Sequence, residues 1–215
     1  MIHLYALVRG LAALPPRGGI GGASLRAVPI EDVVAVVGDD LPETSDRDAP
    51  LEHGLAVEAL AEVADAVLPV RFGERFGDDE ELVAKISPRL DQLRSRLTAV
   101  EGCVELGVCL ADPREPESGR AANGTEYMRL KLEERRLTER LVSALHDPLE
   151  RRAHASVRRR PLGGFAHDAA YLVARDDAAT FRSIVDRFCT AHPEITVVCT
   201  GPWAPYTFAE PEARP

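Results

Sequence analysis

Six histidines and four cysteines are the side chains of this 215-residue chain best suited to metal binding or nucleophilic chemistry. Their spacing supports neither. His3, His53, His146, His154, His167 and His192 form no HExxH and no pair at i, i+4, and Cys103, Cys109, Cys189 and Cys199 form no CxxC pair. A zinc cage therefore lacks its ligands. Cys103 and Cys109 fall on one strand face, roughly 20 Å apart at 3.3 Å per residue, and read as small buried hydrophobes. His167 and Asp168 suggest an acid–base dyad, but neighbours on a strand point to opposite faces. No serine sits in a GxSxG elbow. Arg17 to Gly22 is glycine-rich but lacks the Gly-Lys-Ser/Thr ending of a phosphate loop, and reads as a solvated loop. The sequence predicts no catalytic, cofactor-binding or metal-binding residue.

Charge narrows the partners. The net charge is −9, which argues against nucleic acid, because phosphate binding needs a basic face. Residues 1–100 carry 10 Arg/Lys against 17 Asp/Glu, so most of the acidity lies in the first half. Arg151-Arg152 and Arg158-Arg159-Arg160 form the strongest basic run, without interleaved aromatics. It reads as a solvated strand edge whose charge discourages pairing, with docking of an acidic partner as the second reading. No apolar stretch approaches the roughly 18 residues of a membrane span. With no cationic leader ahead of an apolar run, a cytoplasmic protein with reduced thiols is expected, without a membrane partner.

Periodicity supplies the elements. Ile2, Leu4, Ala6 and Val8 alternate onto one face of a first strand. Leu25 to Ile30 and Asp32 to Val37 read as a hairpin, with Pro29 at an edge. Ala56, Leu60, Val63 and Ala64 recur at helical spacing within residues 50–66. Val67 to Phe72 reads as a strand, because Pro69 forbids a helix. Asp78 caps the next helix with Glu81 as capping-box partner. Ser87-Pro88 restarts it, Ser as cap, with Leu90, Leu93 and Leu97 facing the core.

The second half alternates more cleanly, with Val104, Leu106, Val108 and Leu110 on one strand face. A Pro/Glu/Gly-rich loop from Asp112 to Asn123 leads into a helix from Thr125 to His146, stopped by Pro148. His146 then sits at the negative helix end. At 1.5 Å per residue this helix is roughly 30 Å long and overhangs a short sheet. Ion pairs among Glu133, Glu134, Arg135, Arg136, Glu139 and Arg140 suit a solvated helix. A strand over Arg152 to Arg158 points Ala153, Ala155 and Val157 inward, and Asp168 to Arg175 forms the next. Phe181, Ile184, Val185, Phe188 and Cys189 form a helical stripe, and Ile195 to Cys199 is the last strand. The β-α-β-β-α-β order is the ferredoxin-like split pattern, with both helices on one face of an antiparallel sheet and the other face available. The predicted class is α+β with two domains. Residues 1–100 form a modified ferredoxin-like domain, and residues 101–215 a ferredoxin-like domain with a long helix and an aromatic tail.

That tail, Gly201-Pro202-Trp203-Ala204-Pro205-Tyr206-Thr207-Phe208, holds the only tryptophan. Its prolines predict an extended, low-entropy backbone. With Val67-Leu68-Pro69-Val70-Arg71-Phe72-Gly73-Glu74-Arg75-Phe76, Gly102 to Val108, Gly124-Thr125-Glu126-Tyr127-Met128 and Tyr171-Leu172-Val173, it resembles the gas vesicle F/L proteins, in the family's order across nearly the whole chain. Ala204 stands where the family commonly has proline, Glu74 where a small polar residue is usual, and the glycine-rich loop resembles an insertion.

The resemblance implies a non-enzymatic accessory protein of gas vesicle assembly. It would bind the small hydrophobic shell protein, and other accessory proteins, in the cytoplasm or at the vesicle. Arg71, Phe72, Trp203, Pro205 and Tyr206 are the implied protein-binding residues; a tail that seals a sheet edge, with Trp203 buried, is the structural alternative. The rival functions are a ferredoxin-like enzyme with His154 or His167 lining the open sheet face, and a ligand-sensing domain.

Overall fold

A computed structural model describes residues 1–39, 47–111, 123–161 and 164–209. Cα packing divides the chain into two compact units, Met1–Val104 with Trp203–Pro215, and Glu105–Pro202. The aromatic tail thus packs with the first unit, where the sequence had assigned it to the second domain. Ala204 is buried in that unit's core with Tyr206 packed against it, and both Glu58 carboxylate oxygens lie 3.0 Å from the Ala204 amide.

In the first unit β1 (Ile2–Arg9), β2 (Leu25–Ile30), β3 (Val33–Asp39) and β4 (Ala66–Pro69) form a sheet ordered β2-β3-β1-β4, and the short β5 (Arg75–Phe76) pairs with the start of β1. The hairpin is the expected one, and Pro29 lies on the edge strand β2, where a missing donor breaks no inner ladder. The faces of β1 depart from simple alternation. Its register with β3 shifts between Leu4 and Ala6, and such a bulge re-aims every later side chain. Ala6 and Val8 therefore join Tyr5 in a core with Ala56, Val57 and Leu60 of α1 (Ala49–Val63), while Leu4 and Leu7 face the other way. That second face carries α2 (Asp79–Ile86) and α3 (Leu90–Val100).

Asp78 caps α2 as expected, its Oδ1 accepting from the Glu81 amide at 2.9 Å, while Glu81 accepts from Gly77. Ser87 does not cap α3; its hydroxyl donates to the Val83 carbonyl and so closes α2, with a 3-10 turn over Ser87–Arg89 between the helices. The glycine-rich loop is packed, not merely solvated. Ile20 N donates to the Tyr5 hydroxyl at 2.9 Å, and a Cβ on Gly19 would stand 2.1 Å from that oxygen.

The second unit runs β6 (Cys103–Ala111), α4 (Gly124–Glu150), β7 (Ala155–Arg158), β8 (Phe165–Ala174), α5 (Ala178–Ala191), β9 (Thr196–Trp203), with sheet order β7-β8-β6-β9. This is the expected element order. Leu106, Val108 and Leu110 meet Leu141, Leu145 and Leu149 of α4 and Phe181, Val185 and Phe188 of α5 in one core. Asn123 caps α4, accepting from the Glu126 amide at 2.9 Å; the loop predicted from Asp112 lies outside the described residues up to 122. α4 passes through Pro148 to Glu150, so His146 is not in the last turn. β7 is an edge strand, and Ala155 and Val157 are exposed where alternation pointed them inward. Helix α4 is buried only from Leu141, and its exposed part carries the expected Arg135–Glu139 ion pair, joined by Lys131–Glu134.

Candidate protein-binding site

Where β4 ends at Pro69, the chain crosses the mouth of a cleft of about 650 Å³ on the α3 side of the first sheet. Gly73 takes φ +103° there, a turn in which a side chain is strained. Leu4 and Leu7 of β1, Leu68 of β4, Phe76 of β5 and Ile86 and Leu93 of the α2–α3 arm give the cleft its apolar floor. Arg71, Arg75, Lys85, Arg89 and Arg96 surround it, with Glu74. Lys85 bonds Glu81 at 2.9 Å and stands 5.5 Å over the Phe76 ring, a cation–π placement.

A buried polar relay fixes this turn. His53 Nε2 lies 2.8 Å from the Val70 carbonyl, and His3 Nε2 lies 2.8 Å from His53 Nδ1. A carbonyl only accepts, so the proton of neutral His53 belongs on Nε2, and Nδ1 accepts from His3. Burial pulls the His53 pKa down and favours that neutral form. Tyr5 stacks on His53 with ring centroids 5.1 Å apart, and Phe72 lies 5.6 Å from His3 and 5.9 Å from His53.

The tail closes the other wall. Pro205 is followed by a single helical turn, α6 (Tyr206–Ala209), whose Ala209 amide bonds the Pro205 carbonyl at 2.9 Å. The expected extended backbone therefore stops at Pro205, because the fixed proline φ also suits a helix start. α6 packs against β4 and α3. Burial, with Glu58 nearby, pushes the Tyr206 hydroxyl up to about 12.

Of the residues singled out in the sequence, Arg71 and Tyr206 meet at the cleft. Phe72, 43% exposed, covers the histidine pair instead; Trp203 is 50% exposed, and Pro205 is buried. The sequence reading missed Arg75, Lys85, Arg89 and Arg96. Their signal was present: Ile86, Arg89, Leu93 and Arg96 recur every three or four residues, with Lys85 beside Ile86, placing charge next to the Leu90, Leu93 and Leu97 stripe read as core.

In the second unit His146 Nδ1 and His167 Nε2 lie 2.6 Å and 3.2 Å from the Tyr171 hydroxyl, all three side chains buried. Burial, with His146 and Arg158 nearby, lowers the His167 pKa to about 4. His167 is thus enclosed in the core and His154 is exposed ahead of β7, so the two line no common face. Among the described residues no group of three side chains could hold a metal, and no helix is long and apolar enough to cross a membrane.

The sequence profile of the family described as gas vesicle synthesis protein GvpL/GvpF matches residues 1–210. The chain belongs to the GvpL/GvpF family. Gas vesicle protein L of Streptomyces sp. (strain CB03234) is 32% identical, the match covering 96% of this chain and 92% of that one. Gas vesicle protein F2 of Halobacterium salinarum is 29% identical over 92% and 86% of the two chains. The fold matches the crystal structure of GvpF from Anabaena sp. PCC7120 with a TM-score of 0.86 at 17% identity, over 98% of this chain and 96% of that one. Membership in GvpL/GvpF places the chain in gas vesicle assembly, and both its L-named and F-named relatives are gas vesicle proteins.

Proposed function

We propose that this chain is a non-enzymatic adaptor of gas vesicle assembly that holds the small hydrophobic shell protein during nucleation or growth, in the cytoplasm or at the vesicle. The observation that carries the reading is the cleft of the first unit, an apolar floor bounded by two of the segments that carry the family resemblance, Leu68–Phe76 and the aromatic tail. An exposed apolar surface rimmed by charge suits a chaperone-like hold on an aggregation-prone subunit. Arg71 and Tyr206 contact the partner at the cleft, Phe72 and Trp203 offer half-exposed rings next to them in the two segments, and buried Pro205 holds the tail in shape. Co-expression with the shell protein followed by affinity capture is expected to recover both. No capture in either order of co-expression, with normal vesicles after deletion, rejects the reading.

A further inference from the structure

The cleft is basic in an acidic protein. Of the 10 Arg/Lys in residues 1–100, five line this one cleft, against Glu74 as its lining carboxylate. One wall is already a helical turn, α6, lodged against α3 and β4. We infer that the cleft receives an apolar helical segment flanked by carboxylates, supplied by a partner polypeptide. This rests on the reading of the first unit as the partner-holding surface and adds the chemistry of the segment held.

The floor supplies the burial energy, roughly 25 cal/mol per Å² of apolar surface removed from water. The rim supplies selection. Its four arginines, with Lys85 paired to Glu81, set a positive field over the floor that favours carboxylates. With a net charge of −9, the rest of the protein repels acidic partners, so the rim both directs such a segment here and fixes its orientation. A helix fits the requirement because it lays apolar residues along one stripe and charges along its borders.

Two fluorescein-labelled amphipathic peptides test this, sharing one leucine stripe, one bordered by glutamates and the other by lysines. Anisotropy titrations against the full-length protein are expected to show binding of the glutamate peptide only, weakening as salt rises. The exposed double substitution Arg71→Glu with Arg89→Glu should weaken it at least about tenfold and flatten the salt dependence, in a chain whose melting curve still shows a cooperative fold. Equal binding of both peptides, or of neither, overturns the inference. So does displacement of the peptide by dodecanoate, which assigns the cleft to a small amphiphile, or self-association abolished by the double substitution, which assigns it to a second copy. If the glutamate peptide binds but the shell protein is not captured, the assembly reading fails and the cleft chemistry stands. Undiminished capture of shell protein by the doubly substituted chain does the reverse.

Discussion

In the first unit Tyr5 of an inner strand stands beside His3 and His53; in the second, Tyr171 of an inner strand stands beside His146 and His167. The residue types are the same and the wiring differs. The Tyr171 hydroxyl joins both imidazoles, with Phe181 packed 5.2 Å from its ring, and His146 Nε2 lies 3.6 Å from Glu150. In the first network the Tyr5 hydroxyl accepts from Ile20, and His53 reaches the Val70 carbonyl where the cleft begins. A polar core gathered on one hydroxyl serves one unit's stability, whereas one that ends on a main-chain carbonyl carries the core's rigidity to the cleft.

The largest expected contrast comes from the hydroxyls. Tyr171→Phe leaves two buried ring nitrogens short of a partner and should cost about 2–3 kcal/mol in urea unfolding. Tyr5→Phe removes the acceptor of the part-buried Ile20 amide and should cost about 1 kcal/mol. Equal losses would break the comparison.

Acid comes next. His167 titrates near 4 when folded against 6.5 when free, so the unfolded chain takes the proton first. The stability this group contributes is complete above pH 6.5 and drains away as pH falls towards 4, by at most about 1.4 kcal/mol per pH unit. His167→Gln should flatten that limb of the stability profile, and an unaltered slope would show that this core does not resist protonation.

The smallest effect concerns the tail. Glu58→Gln keeps the shape but weakens a charge-assisted acceptor for the Ala204 amide, at about 1 kcal/mol or less. Faster hydrogen exchange at Ala204 and a red-shifted emission from the sole tryptophan, Trp203, are expected, with Tyr171 and its histidines unaffected. An unchanged spectrum and exchange rate would mean that the Glu58 contact does not hold the cleft wall.

Much of this architecture was legible because its signals are local. The stripe Phe181, Val185 and Phe188, the cap Asp78 with Glu81, and Pro29 on its edge strand each follow from a period or a cap that a few neighbouring residues decide. The bulge after Leu4 was not legible, since it depends on how β3 registers against β1. Nor was exposure on β7, where alternation assumes a covered face that an edge strand lacks. The candidate site was half legible: Arg71 and Tyr206 stood in recognisable motifs, whereas Lys85, Arg89 and Arg96 were legible only as charges at helical spacing beside a leucine stripe.

The sequence by itself determined the β-α-β-β-α-β order, the α+β class and the kinship with gas vesicle proteins, because periodicity and motifs are properties of neighbouring residues. Tertiary structure alone decided that the tail belongs to the first unit, that His167 is enclosed rather than presented, and that five cations drawn from 26 residues of chain surround one apolar floor. Those outcomes depend on contacts between residues distant in the chain, such as Glu58 with Ala204, whose free energy exists only once the sheet has formed.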